Sequence, residues 1–327
     1  MPQLPTVNIL FENPDWLPPL TTALSKAGFS DVNLVQLSNG LIESLAEPPQ
    51  GIWINRISPS SHTRGNEYTV QLAREFLYWL EFHNRLVING LNAFELEMSK
   101  FRQDLVLRKY GIKTPKTILS VGIHHLRTAA EKFDGPFLIK HNQGGKGLGI
   151  QLFQSHNDFV RFLDANLFEP SPDGKFILQE YIEPLEQKIT RVEIVGDRFL
   201  FAMHSSTKGG FELCPSDVCQ LKDQSPKSPD VCPIDGTSEL FQPADLSSND
   251  SLILRYIKLM HGEGIDVAGI EFVEDKNGVR YTYDINGTTN YNNVLGAKMG
   301  IYGMEELVRY LKEEIIPSYT KPQLCVG

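Results

Sequence analysis

Residues 267–293, VAGIEFVEDKNGVRYTYDINGTTNYNN, are the most informative segment of the sequence for the fold. Apolar and polar residues alternate on both sides of the Asn-Gly dipeptide at 277–278, which is typical of a two-residue type I′ hairpin turn. With that turn, Glu271 faces Asp284, and Asn286 lies two residues further along the same face. The hairpin therefore predicts two carboxylates and a carboxamide that converge on one side of a sheet.

Opposed like charges repel each other across a ladder, so this pair needs a cation or a shared proton. Oxygen-only ligands suit Mg²⁺, which takes one or two carboxylates and completes its octahedron with water and substrate phosphates. Mn²⁺ accepts similar ligands. We therefore predict a metal site at Glu271, Asp284 and Asn286. The alternative is a solvated acidic face, because a register slip of one residue would separate these side chains.

A glycine-rich segment joins two predicted strands, residues 136–140 and 149–154. Its residues are Gly144, Gly145, Lys146, Gly147, Leu148 and Gly149. Glycines let backbone N–H groups approach an anion, and successive amides form a nest for phosphate oxygens. The segment is neither a Walker loop nor a Rossmann fingerprint, because no Ser or Thr follows the lysine and a strand comes next. It predicts a phosphate-binding loop, with a flexible hairpin turn as the alternative.

Three isolated cations lie upstream of the hairpin. Lys100 lies on a predicted helix, Lys140 ends an apolar strand, and Arg191 lies inside the strand TRVEIV. An arginine among apolar strand residues usually needs an anionic partner, whereas a lysine at a strand end also snorkels to water. Residues 179–182, Gln-Glu-Tyr-Ile, cross from apolar to polar between two predicted domains, and domain junctions favour ligand sites.

The remaining pattern alternates short apolar runs with amphipathic segments, as in an α/β protein. The predicted strands are 6–12, 32–37, 51–56, 85–89, 176–182, 190–195 and 198–204, the last two joined by a Gly-Asp turn at 196–197. The predicted helices are 17–27, 66–82, about 92–111, 157–167, 249–262 and 303–316.

Taken in chain order, the cations, the glycine-rich segment, the 179–182 crossover and the DIN triplet at 284–286 resemble the ATP-grasp superfamily. The resemblance is strongest to its RimK-like glutamate-ligase and glutathione-synthetase branch. It implies an N-terminal parallel α/β domain followed by two α+β domains that clamp the nucleotide. The implied boundaries are 1–95 for the N-terminal domain, 96–180 for the central lid domain, and 181–327 for the C-terminal domain, with a long irregular loop at about 212–250.

The resemblance also implies a role for each matched residue. The residues expected at the nucleotide are Lys100, Lys140, Gly144, Gly145, Lys146, Gly147, Gln179, Glu180, Tyr181, Ile182, Glu183 and Lys188. The two early lysines would contact phosphates, and the glycine-rich segment would close over them. The backbone of 180–182 would receive adenine, with Glu183 or Lys188 near the ribose. Arg191 would be the catalytic residue, because it would hold the γ-phosphate and the developing acyl phosphate.

The implied reaction is the ATP-dependent joining of a small carboxylate and an amine through an acyl phosphate, with release of ADP and phosphate. Such chemistry needs positioning and charge neutralisation rather than a Ser-His or Cys-His nucleophile. An ATP-binding scaffold without turnover and a peptide-modifying ligase are the alternatives. Candidate substrate residues are Arg56, Arg64 and Asn290, although a solvated loop explains the two arginines equally well.

The sequence departs from the RimK-like pattern where such enzymes bind their substrates. Ile189-Thr190-Arg191 stands where Asp-Ile-Arg is frequent, and residues 204–210 lack the paired arginines expected after the next strand. These departures do not support glutamate as the substrate. The sequence therefore predicts the nucleotide half of the site better than the acceptor half.

Composition excludes several other classes of function. The formal charge of −9 disfavours nucleic acid, and no apolar run is long enough for a membrane helix. The N-terminal stretch lacks the features of an export signal, so we expect a cytoplasmic protein and leave a homo-oligomer open. Cys214, Cys219 and Cys232 would need a fourth ligand to form a zinc site, and none with suitable spacing is found.

Overall fold

The computed structural model describes residues 4–145, 147, 149–207 and 241–319. Its first sheet is parallel, with strand order β2-β1-β3-β4, as the α/β pattern predicts. The strands are Val7–Phe11 (β1), Val32–Gln36 (β2), Ile52–Arg56 (β3) and Val87–Ile88 (β4).

The second sheet is antiparallel, with order β5-β8-β6-β7. Its strands are Thr117–Ser120 (β5), Phe137–His141 (β6), Gln151–Phe153 (β7) and Phe176–Glu180 (β8). The third sheet is also antiparallel, with order β11-β10-β9-β12-β13. Its strands are Lys188–Val195 (β9), Arg198–Ser206 (β10), Phe241–Pro243 (β11), Val267–Glu274 (β12) and Arg280–Asn286 (β13).

Most predicted helices lie close to their predicted positions, but the single helix over about 92–111 is split, and the helices Ile123–Ala130 and Asn293–Met299 were not predicted. The helices are Pro18–Lys26 (α1), Thr69–Phe82 (α2), Leu91–Glu97 (α3), Lys100–Lys109 (α4), Ile123–Ala130 (α5), His156–Asp164 (α6), Ser251–Glu263 (α7), Asn293–Met299 (α8), Gly303–Tyr310 (α9) and Ile316–Tyr319 (α10). A π-helical turn, Leu311–Ile315, joins the last two. None of the helices in the described ranges is long and apolar enough to span a membrane.

The prediction of a single helix over about 92–111 is wrong. The helix stops at Glu97, and Ser99 has extended backbone angles (φ −139°, ψ 102°). The Ser99 side chain accepts a hydrogen bond from Arg102 N at 3.3 Å, which caps the start of α4. A serine favours a cap over a helix interior because its hydroxyl competes for backbone groups. Consequently Lys100 is the first residue of a new helix.

Helix α4 is held against the outer edge of β13 by one buried side chain. The Gln103 carboxamide donates to Ile285 O and accepts from Ile285 N, both at 2.9 Å. This pair of bonds satisfies backbone groups that an edge strand would otherwise leave open. It also fixes Lys100 beside the carboxyl end of β13.

Hydrophobic packing joins the first and third sheets into one body. A single buried cluster includes Ile9 and Ile54 from the first sheet with Phe201 and Met203 from the third. The second sheet has a separate cluster with α5 and α6, built around Phe137. The second sheet therefore packs as its own unit. The domain limits at residues 95 and 180 stay a prediction.

The predicted loop at 212–250 lies outside the described residues up to position 240. Its last part contains β11 and the approach to α7, where Asp250 accepts from Leu252 N at 2.8 Å and caps the helix. The three clustered cysteines and Lys146 also lie outside the described residues.

Candidate active site

A cavity lies between the second and third sheets and is bordered by loops of the N-terminal sheet. Of the residues singled out from the sequence, the cavity is lined by Lys100, Lys140, Gly144, Gly145, Gly147, Gln179, Glu180, Tyr181, Ile182, Arg191, Glu271, Asp284, Asn286 and Asn290. Residues as far apart in the chain as Trp16 and Asn290 thus reach one space.

Strand register places these residues in order along the cavity. Ile189 pairs with Val273, and two residues further along the same two strands Arg191 pairs with Glu271. Two residues on a strand span about 7 Å. The cavity therefore changes from apolar to charged over a short distance. Thr288, Thr289 and Asn290, which follow β13, line the cavity beyond the charged part.

The predicted pairing of Glu271 with Asp284 is confirmed, although the predicted two-residue turn is wrong. Glu271 pairs with Asp284, but Phe272 pairs with Thr282, so Tyr283 is an extra residue in a β-bulge. The loop has three residues rather than two: Asp275 N donates to Val279 O at 3.0 Å. The added loop residue and the bulge offset each other.

The bulge brings a tyrosine into the site. The Tyr283 hydroxyl donates to Glu271 Oε2 at 3.1 Å, and Arg191 Nη1 donates to Glu271 Oε1 at 2.8 Å. Both oxygens of Glu271 are therefore oriented by neighbours. Tyr283 was not predicted as a site residue, because a regular ladder would place it on the opposite face from Glu271.

The second carboxylate has its own cation. Lys100 Nζ forms an ion pair with Asp284 Oδ1, and Asn286 Nδ2 donates to Asp284 Oδ2 at 3.1 Å. Burial opposes ionisation, but Lys100 outweighs it and holds the pKa of Asp284 below its usual value. Each carboxylate of the opposed pair is thus neutralised by a different cation.

Arg191 is the most extensively bonded cation of the site. Its guanidinium donates to Glu193 at 2.7 Å and to Thr289 Oγ1 at 2.9 Å, besides Glu271. Burial alone would lower the pKa of Arg191, but Glu193 and Glu271 raise it above its usual value. Glu193, fully buried, was missed from the sequence. The alternation of β9, which places it on the same face as Arg191, could have identified it.

Lys140 is buried at the edge of the second sheet rather than extended to water. Its Nζ donates to Gln179 Oε1 at 2.8 Å and lies 5.5 Å from the Tyr283 ring centre. Burial, together with the nearby charge of Lys100, lowers the pKa of Lys140 to about 7. The alternative that this lysine snorkels to solvent is therefore wrong.

The crossover at 179–182 already uses part of its backbone. Glu180 N donates to Lys116 O at 2.9 Å, and Tyr181 N donates to Pro136 O at 3.0 Å. Within the described ranges, Ile182 N donates to no backbone carbonyl. The groups left for a ligand at this crossover are therefore carbonyl oxygens and the Ile182 N–H.

Two predicted cations, Lys188 and Arg64, do not line the cavity themselves. Lys188 pairs with Glu186 at 2.9 Å, and neither Lys188 nor Glu183 lines the cavity. Arg64 pairs with the buried Glu12 and stacks on Trp16, 4.6 Å from its ring centre. Lys188 therefore lies in a surface ion pair, whereas the charge of Arg64 is neutralised by the buried Glu12.

Arg56 also lies behind the cavity wall instead of in it. The side chain is 3% exposed, and its Nη1 donates to Thr289 O at 3.0 Å. Its Nη2 donates to Asn290 Oδ1, and Asn290 itself lines the cavity. Arg56 thus positions the segment that carries the candidate substrate residue Asn290.

Another cavity carboxylate, Glu97, was also missed. It is 7% exposed and accepts hydrogen bonds from Thr288 N at 3.0 Å and from Thr288 Oγ1 at 2.8 and 2.9 Å. Burial raises the pKa of Glu97 to about 7, against these hydrogen bonds. Nothing local marks this residue, because an acidic residue at a helix end is usually solvated.

The hairpin residues suit a hard divalent cation. Glu271, Asp284 and Asn286 offer only oxygen ligands and an amide, and two carboxylates are the number that Mg²⁺ commonly takes. Within the described ranges, no group of three or more His, Cys, Asp and Glu forms a closed metal site. The fit is therefore to a metal that shares its coordination with substrate.

Comparison with known proteins gives related results. Residues 98–213 match the model of the RimK-like ATP-grasp domain. A probable alpha-L-glutamate ligase of Mannheimia succiniciproducens is 22% identical over 229 residues, 70% of this chain and 68% of the relative. The matched parts of the curated relatives range from 41% to 75% of their lengths.

Solved structures share the fold over nearly the whole chain. A RimK domain ATP-grasp protein from Sphaerobacter thermophilus has a TM-score of 0.63 at 13% identity and covers 92% of this chain and 98% of its own. The ATP-grasp ligase PsnB, complexed with a minimal precursor, Mg and ADP, has a TM-score of 0.60 at 14% identity over 94% and 98%. The predicted ATP-grasp fold is confirmed. The similarities support the RimK-like branch and an ATP-dependent carboxylate–amine ligase.

Proposed function

We propose that this chain activates a small carboxylic acid with ATP and joins it to an amine, because it has the ATP-grasp fold and residues 98–213 match a RimK-like ATP-grasp domain. The observation that carries the proposal is the convergence of Lys100, Lys140 and Arg191 with Glu271 and Asp284 in one cavity. Such a set neutralises a transferring phosphoryl group, whereas a binding-only protein has less need of it.

Adenine binds at the apolar part of the cavity. Ile189, Val273 and Leu138 supply apolar contacts, and the Ile182 N–H together with a carbonyl of the crossover gives the base a hydrogen-bonded edge. From there the triphosphate extends past Lys140 towards Arg191. Gly144, Gly145 and Gly147 border the same space and offer backbone N–H groups.

Glu271, Asp284 and Asn286 hold magnesium, with manganese as a substitute. The metal supplies charge neutralisation for phosphate oxygens. Lys100, now paired with Asp284, is placed to pair with a phosphate oxygen instead. Arg191 stays fixed by Glu193 and Thr289, so its guanidinium stabilises charge on the γ-phosphoryl group without reorganising.

The proposed reaction has two chemical steps. A substrate carboxylate oxygen attacks the γ-phosphorus of ATP, which gives an acyl phosphate and ADP. An amine nitrogen then attacks the acyl carbon, loses a proton and expels phosphate. Asn290 and its neighbours, held by Arg56, border the acceptor side.

Release of ADP tests the proposal directly. The full-length chain is incubated with ATP and Mg²⁺, with each of the common amino acids and dicarboxylic acids, and with hydroxylamine as a general nucleophile. We expect at least one carboxylate to stimulate ADP release and to yield a hydroxamate. Tight ATP binding with no stimulated turnover for any carboxylate would instead favour the nucleotide-binding scaffold.

A further inference from the structure

The most unusual group of the cavity outside the nucleotide machinery is the Glu97 carboxylate. Within the described part of the chain, no Lys, Arg or His nitrogen lies within 4.0 Å of it, and its partners are the neutral donors of Thr288. A buried carboxylate normally has a cationic partner, because desolvation without one is costly. Among the described residues, the negative charge of Glu97 is therefore not balanced by an ion pair.

Glu97 also lines the cavity, so a cationic ligand can pair with its carboxylate. The same cavity is lined by the uncharged residues Ser58, Ser60, Thr289 and Asn290. The charged groups that act on Glu97 are the guanidinium of Arg56 and the carboxylate of Asp284. The nearest buried guanidinium, Arg56, bonds to Thr289 O and Asn290 from behind this segment. Asp284 is paired with Lys100, and Glu271 with Arg191. Among the described residues, Glu97 is therefore the buried cavity carboxylate without an ion pair.

The absence of a side chain at Gly287 leaves space for the Glu97 carboxylate. A Cβ on Gly287 would lie 3.1 Å from Glu97 Oε2 and 3.0 Å from Asn89 Nδ2. Glycine at 287 therefore lets α3 approach the end of β13. As a result, Glu97 lies against Thr288, two residues after the predicted metal ligand Asn286.

We propose that Glu97 binds the ammonium group of the amine substrate and places that nitrogen beside the activated acyl group. This inference rests on the proposed ligase function and specifies its second substrate as a primary amine that is cationic when it binds. The cavity then sorts its substrates by charge, with anions beside Lys140 and Arg191 and the cation at Glu97. A cationic partner favours the ionised form of this carboxylate. The carboxylate then takes one proton from the ammonium, the neutral amine nitrogen attacks the acyl carbon, and the second proton leaves with the phosphate.

Replacement of Glu97 by Gln tests the inference, because it keeps the shape and removes the charge. Two nucleophiles are compared at saturating ATP and carboxylate: hydroxylamine, which is mostly uncharged at neutral pH, and a panel of amino acids as cationic amines. We expect the KM for the amine to rise at least about tenfold further than the KM for hydroxylamine. Glu97→Asp keeps the charge and should recover part of the loss.

Glu95→Gln is the matched control. Glu95 lies on the same helix and pairs with Arg74 and Arg102, away from the cavity lining. This variant should treat both nucleophiles as the wild type does. Equal amine KM values in wild type and Glu97→Gln would overturn the inference. So would an equal loss with both nucleophiles, since that result indicates a role in activation or folding.

A binding experiment separates failure of this inference from failure of the proposed function. Saturation-transfer NMR compares n-propylammonium with n-propanol, its uncharged isostere, on the full chain with ADP and Mg²⁺. We expect contact with the ammonium only, lost in Glu97→Gln and retained in Glu95→Gln. If the wild type forms no hydroxamate but shows this pattern, the ligase proposal fails and the cation site stands. No difference between the two probes would refute the cation site.

Discussion

The guanidinium of Arg191 lies directly over Gly269. A Cβ at position 269 would be 2.1 Å from Arg191 Nη2, far inside van der Waals contact. Glycine at this point of β12 is therefore what allows the arginine to cross the neighbouring strand and reach Glu193 and Thr289. The position of Arg191, which we propose to hold the γ-phosphate, thus depends on the absence of a side chain at Gly269 in the neighbouring strand.

Substitution of Gly269 by Ala should displace Arg191, because the buried guanidinium has no space to retreat without breaking its hydrogen bonds. We expect ATP turnover to fall at least about tenfold and the free energy of unfolding to fall by about 1–3 kcal/mol. ADP release and chemical denaturation measure these effects. Gly135→Ala is the control, because no atom lies within 4 Å of its added Cβ. Wild-type turnover in Gly269→Ala would show that Arg191 is not needed where it lies.

Substitution of Asp284 by Asn should abolish turnover, since it removes one of two opposed carboxylates and leaves Lys100 without its ion pair. We expect ADP release to fall more than about 100-fold, with a raised requirement for Mg²⁺. The matched control is Asp134→Asn, an exposed residue. Unchanged activity of Asp284→Asn in a folded protein would remove this residue from the metal site.

The pH dependence of catalysis should report Lys140. Its pKa of about 7 means that the side chain loses its positive charge as pH rises from about 6 to 8. The value of kcat/KM for ATP reflects ionisations of the free enzyme and should therefore fall over that range. Lys140→Arg, whose charge persists, should flatten the profile. A wild-type profile that is flat in this range would contradict the lowered pKa of Lys140.

Stability should depend on pH through Glu97 in the opposite direction from an ordinary carboxylate. Its folded pKa, about 7, is above the usual 4.5, so the folded state holds the proton more tightly than the unfolded state. Stability is then highest below the unfolded pKa and is lost as pH rises through 7. One pKa unit is worth about 1.4 kcal/mol. Denaturation of Glu97→Gln between these pH values should lack this loss, and an unchanged slope would refute it.

Asn89 should couple the N-terminal sheet to the site. Its carboxamide accepts from Asp266 N and Val267 N and donates to Val267 O and Gly287 O, at 2.8 to 3.0 Å. Asn89→Ala removes these buried bonds and should cost about 3 kcal/mol in unfolding free energy.

The backbone of Asn89 adds a second effect that a paired variant separates. Its φ is 51°, in the left-handed region, where alanine is strained and glycine is not. Asn89→Gly should therefore be less destabilised than Asn89→Ala while losing the same hydrogen bonds. Equal stability of the wild type and both variants would show that the carboxamide contributes nothing.

The sequence alone determined the parts of this protein that depend on local periodicity and chain order. Alternation in β12 and β13 placed Glu271 and Asp284 on inward-facing positions of a hairpin, because side chains alternate between the faces of a strand. Their direct pairing was predicted from a two-residue turn, and it holds because the longer loop is offset by the bulge at Tyr283. The order of the motifs indicated the ATP-grasp fold, since each motif keeps its place in the topology.

Which charged side chains are paired within the protein, and which are available to a ligand, depends on the tertiary structure. The sequence did not show whether Arg64 binds a ligand or a protein carboxylate, and the structure places it in an ion pair with Glu12. Tyr283 lies in the site because of a β-bulge, which a regular ladder does not contain. Glu97 acquired its importance from burial against a threonine 191 positions away. Burial and long-range pairing set the free energy of a charge, and neither property is written in the residues next to it.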